Sequence, residues 1–70
     1  QEMFLKIRDN VQFLLKQSGA VMMGNAIHAA TGDVWMMMAC VDRLVELGEI
    51  EEITRKGHVA GQYRVFIKKY

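Results

Sequence analysis

The stretch AIHAATGDVWMMMACVDRLVELGEI, residues 26–50, holds a short apolar run, a Thr-Gly turn and a longer segment of helical spacing that stops at a glycine. Gly24-Asn25 just before it offers a helix start, with Asn25 the better capping side chain. Ala26 to Ala30 then form a short helix that Thr31-Gly32 ends. Asp33 can cap the next helix, expected from Val34 to about Leu47. Its inner stripe is Val34, Met37, Val41, Leu44 and Val45, and Gly48 stops it. One feature does not fit a simple amphipathic helix. Met36, Met37 and Met38 are consecutive and point in three directions, so the helix carries more apolar surface than one face can bury.

Outward from this centre, residues 2–17 place Phe4, Ile7, Val11, Leu14 and Leu15 at helical spacing, closed by Ser18-Gly19. Leu5 and Phe13 fall off that stripe, as they would if the helix were covered on more than one side. Ala20 to Met23 is either a brief extended segment or a turn. On the other side, Ile50–Arg55 and Gln62–Lys68 read as two strands. The second alternates Tyr63, Val65 and Ile67 with Arg64, Phe66 and Lys68. The first has Ile50 and Ile53 three apart, which predicts a bend or bulge near Glu51-Glu52. The glycine-bearing KGHVAG between them suits a hairpin loop. The expected fold class is α+β: three helices and a C-terminal two-stranded hairpin around one core, as a single domain over residues 1–70.

The totals narrow the function. Seventy residues build one small core, and one cysteine, Cys40, precludes an internal disulfide. A hydrophobic content of 51% argues against disorder. No apolar run is long enough to span a membrane, no signal peptide is visible, and an unpaired cysteine fits the cytoplasm. A start at Gln1 is what a processed or excised piece would show. Net charge is +1, but its distribution is uneven. Asp42, Glu46, Glu49, Glu51 and Glu52 face one base, Arg43, whereas everything from Arg55 onward is free of acids and holds Arg55, Lys56, His58, Arg64, Lys68 and Lys69.

AIHAATGDV, then VDRLVELGEI, then a glycine-bearing loop and QYRV, in that order, resemble the winged helix-turn-helix family. Leu44, Gly48 and Ile50 fill its L-x-x-x-G-x-I positions, Gly32 sits in the turn, and Tyr63-Arg64 stand where the return strand of the wing often carries an aromatic residue and a base. The resemblance covers nearly the whole chain. It implies a module that binds double-stranded DNA, as in a transcriptional regulator; the small size of the chain alone adds a mobile-element or phage-like protein as the other expected setting. The third helix would enter the major groove and the wing would touch the backbone or minor groove. By position, Trp35, Met36, Met38, Ala39 and Arg43 would face the groove, with Thr31 adding a polar contact. Arg55, Lys56, His58 and Arg64 would be the wing contacts. The helix departs from an ordinary DNA reader, because Arg43 alone on it offers base-reading chemistry, and Asp42 and Glu46 would repel phosphates.

Other chemistry fares worse. Three consecutive helical methionines cannot converge on one ion, and core filling explains them, so no metal or cofactor is expected. Ser18 is the only serine, and neither His28 nor His58 is placed beside Cys40, so no enzyme is expected. The rival to DNA binding is a protein-interaction or homodimerisation module in which Trp35, Met36 and Ala39 form the contact.

Overall fold

The computed structural model describes residues 2–54 and 61–69. Helix α1 spans Glu2–Ser18, strand β1 Ala20–Met22, helix α2 Met23–Ala26, helix α3 Val34–Glu46, strand β2 Ile50–Glu52 and strand β3 Val65–Lys68. A 3₁₀ turn, Ile27–Ala29, prolongs α2, and another, Gly61–Tyr63, leads into β3. The fold is α+β, three helices on a three-stranded antiparallel sheet of order β1-β3-β2. The sheet has one strand more than the expected two-stranded hairpin. The open segment at Ala20 resolves as β1, with Val21 opposite Phe66. Its partner lies some forty residues along the chain, so no local pattern reveals the pairing.

Helix ends follow their local chemistry. Gly19 turns the chain at φ +81° and donates its N–H to the Leu15 carbonyl at 2.7 Å. Gly48 does the same for α3 at φ +78°. Its N–H bonds the Val45 carbonyl at 3.0 Å and the Glu49 N–H the Leu44 carbonyl at 3.0 Å, a Schellman arrangement that satisfies two terminal carbonyls. Asp33 caps α3 as expected, its Oδ1 accepting from the Trp35 N–H at 2.9 Å. Asn25 caps nothing. Helix α2 opens at Met23, three residues before the expected Ala26, and the Met23 N–H extends the sheet ladder to the Arg64 carbonyl at 2.7 Å. At its far end, Asn10 Nδ2 of α1 donates to the Asn25 and Ala26 carbonyls at 2.9 and 3.0 Å. The short helix is therefore tied at both ends by other elements.

The core joins Ile7 and Val11 of α1, Val21 of β1, Met23 and Ala26 of α2, Met37, Val41 and Leu44 of α3, Ile50 of β2 and Phe66 of β3. Two expectations change here, and one open choice is settled. Val34, the first residue of α3, is half exposed. Leu5 and Phe13 are exposed too, so α1 is covered on one side only. In β3 the core residue is Phe66, fully buried on the same face as Arg64 and Lys68, while Val65 and Ile67 on the other face are half-buried and Tyr63 is exposed. Nor does β2 bulge. Its ladder with β3 is regular from Ile50 opposite Lys68 to Glu52 opposite Phe66, and the Ile53 N–H still reaches the Val65 carbonyl at 2.9 Å. Ile53 simply lies on the face opposite Ile50 and is exposed. The expected hairpin loop falls on residues 55–60, outside the described residues, as do Arg55, Lys56 and His58.

Candidate nucleic-acid or protein interface

The three methionines go to three places. Met37 is buried in the core. Met38 is half-buried against the start of the return segment, where a side chain at position 61 would meet its Cε at 2.8 Å. Gly61 thus lets the chain pass over Met38. Met36 points outward, 55% exposed. Its neighbour Trp35 is 79% exposed, far from the deep burial usual for tryptophan.

Every residue from Thr31 to Met36 is exposed, as is Ala39. These six residues are the turn and first turn of α3. The same helix is anchored behind by Met37, Val41 and Leu44. A rigid scaffold therefore presents one helix end to the outside. Beside it, Met36, Ala39, Cys40 and Leu47 of α3 and its C-terminal turn face Met3 and Phe4 of α1 across an open groove of about 500 Å³, with Arg43 at its edge. Trp35 and Val34 border a second depression, with His28 and Ile27.

The acids on α3 are engaged. Arg64 Nη2 donates to Asp42 Oδ1 at 2.8 Å. Arg43 Nη1 donates to Glu46 Oε1 at 3.2 Å, one helical turn along. The repulsion that these carboxylates would exert on phosphates is offset by cations already in place. The consequence for Arg64 is the reverse. Its Nε and Nη2 donate to Glu52 Oε2 and Oε1 at 3.0 and 2.9 Å, a two-pronged pair, and its guanidinium lies 5.3 Å from the Phe66 ring centre. Glu52 also accepts from the Thr54 hydroxyl at 2.7 Å. The Glu52 carboxylate, aided by Asp42, holds the Arg64 pKa above the usual arginine value despite partial burial, which works in the other direction. Arg64 therefore ties β3 to β2 and α3 and is not a free wing cation. Sequence alone hides this, because its partners lie 22 and 12 residues away in the chain.

Of the ten residues expected to meet DNA, Thr31, Trp35, Met36, Ala39 and Arg43 are exposed, and the last four share one side of α3 by helical spacing. It places Met38 under the return segment and Arg64 inside the fold. The groove residues Met3 and Phe4 were missed as site residues, since Phe4 reads as the start of a core stripe and Met3 carries no signal of its own. Among the described residues no group of three or more His, Cys, Asp or Glu could hold a metal ion, and no helix is long and apolar enough to cross a membrane. Neither a protein-family model, nor a curated protein, nor a solved structure matches the chain.

Proposed function

We propose that this chain is a winged helix-turn-helix domain that binds double-stranded DNA, as part of a transcriptional regulator or a mobile-element or phage-like protein. The observation that carries the reading is the continuous exposure of residues 31–36 at the start of a well-anchored α3. A recognition helix contacts base edges with its N-terminal residues, and those are the ones left uncovered here. Further support comes from the order of helix, strand, short helix, turn, long helix and paired strands. The paired acids on α3 and the acid-free sequence from Arg55 onward favour it as well. In this reading Arg55, Lys56 and His58 contact phosphates, Thr31 and Arg43 supply polar contacts from α3, and Arg64 holds the return strand in position.

The test is binding of a labelled duplex, followed by anisotropy across a salt series, for the wild type and an Arg55→Gln/Lys56→Gln variant. Each lost phosphate contact should flatten the log–log salt slope by about 0.9. An unchanged slope and affinity would remove the wing from the interface.

A second reading has its own observation. Exposed Trp35 and Met36, Ala39 and the adjoining apolar groove form the kind of surface that partners cover. There the chain is a protein-interaction or homodimerisation module. A sedimentation shift with concentration, together with no duplex binding at low salt, would favour it over the DNA reading.

A further inference from the structure

We infer that α3 reads DNA through the 5-methyl groups of pyrimidines, with Trp35, Met36 and Ala39 as the specificity-determining residues. The inference rests on the DNA reading above and names the chemistry of its readout. The side chains exposed on the first turns of α3 are unusual for a groove reader. Asp33 Oδ1 is occupied by the Trp35 N–H. Val34, Trp35, Met36 and Ala39 follow, all exposed. Apart from the indole N–H, the next hydrogen-bonding side chains along that surface are Asp42 and Arg43, about two turns along and already bonded to Arg64 and Glu46.

Hydrogen-bond readout of several bases would need more donors and acceptors than this face offers. In the major groove one feature is recognised without them: the C5-methyl of thymine, which apolar side chains contact directly. Ala39 lies four residues from Trp35 and three from Met36, so it adjoins both, and the three make one apolar patch on the first turns of the helix. Their charged neighbours, Asp42 and Glu46, are paired with Arg64 and Arg43 and so oppose the approach of the duplex less than free carboxylates would. The acid-free segment after Thr54 supplies the cations that would hold the duplex without reading it.

The experiment compares matched duplexes: alternating A·T, the same duplex with deoxyuridine for thymidine, and G·C duplexes with cytosine or 5-methylcytosine. Binding is measured at low salt by anisotropy. Burying one methyl group contributes about fourfold in affinity, so the thymine duplex should bind tighter than its uracil twin by about that factor for each methyl contacted. The 5-methylcytosine duplex should gain over cytosine likewise. A Trp35→Ser/Met36→Ser variant, which removes two outward side chains, should bind thymine and uracil duplexes alike, and its far-UV circular dichroism should match the wild type. Equal, salt-sensitive binding of thymine and uracil duplexes by the wild type would overturn methyl readout and leave the DNA reading standing. A thymine preference that survives in the variant would overturn the assignment to these residues. Binding to none of the duplexes at low salt would remove the DNA reading itself, and the inference with it.

Discussion

Replacing Arg64 by alanine should destabilise the fold far more than a surface arginine would. Its side chain is 22% exposed and that of Glu52 15%, so the pair is mostly withdrawn from water. Hydrogen bonds to charged groups contribute about 1.5–3 kcal/mol, and two of them here share one fork-to-carboxylate geometry. The Asp42 contact adds little, because that carboxylate is half exposed. Thr54 still serves Glu52 after the change, which lowers the cost. Loss of the guanidinium over Phe66 raises it by about 0.5–1 kcal/mol. Together these give about 2–3 kcal/mol by the usual charged-hydrogen-bond values. For a domain of this size that lowers Tm by roughly 10–20 °C.

Urea titration followed by circular dichroism measures it. Arg64→Lys keeps the charge but loses the fork, and should recover only part of the stability. A double-mutant cycle with Glu52→Gln should give a coupling above about 1 kcal/mol. The pH dependence follows in sign. A raised folded-state pKa contributes stability that is complete below the unfolded arginine value and is lost only as pH climbs through the folded one. The difference between wild type and Arg64→Ala should therefore stay constant from neutral to moderately alkaline pH. A cost below about 0.5 kcal/mol, the scatter of ordinary surface changes, would refute the clamp.

Three other expectations test separate parts of the structure. Asp33→Ala removes the cap of α3 and should cost about 1 kcal/mol in the same urea assay, with Asp33→Asn nearly neutral. Phe66→Ala empties the centre of the sheet and should cost about 3–5 kcal/mol, enough to unfold so small a domain, visible as loss of the cooperative transition. Trp35→Ser should leave stability within about 0.5 kcal/mol, and the wild-type indole should be freely quenched by acrylamide. A shielded Trp35 would show that its face is already covered in solution.

Helices α1 and α3 were legible because their signals are local, whereas the start of α2 was not, since it is set by pairing with Arg64. Glycines at 19, 32 and 48 and the carboxylate of Asp33 lie within a few residues of the ends they fix, and the φ values of +81°, +129° and +78° are ones that side chains resist. What stayed hidden depends on distant partners. Alternation in β3 separates two faces but does not say which the helices cover; Phe66 is the buried residue because its face joins the core with Ile7, Val11, Val41 and Leu44. A stripe on α3 predicts burial of Val34, yet at the first residue of the helix it lies half exposed at the rim of the depression with Ile27 and His28. Arg64 reads as a wing cation by position, but the fold brings two carboxylates to it. The candidate face was half legible. Trp35, Met36 and Ala39 stood off the inner stripe in the sequence, whereas Met38 looked equivalent and is instead folded under Gly61.

The most direct measurement is a titration of isotope-labelled protein with a generic DNA duplex, read by amide chemical shifts at low and then moderate salt. We expect shifts concentrated at residues 31–43, with those at 55–58 fading as salt rises. An unperturbed spectrum at low salt would contradict DNA binding by α3 and leave the exposed Trp35–Met36 face to a protein partner.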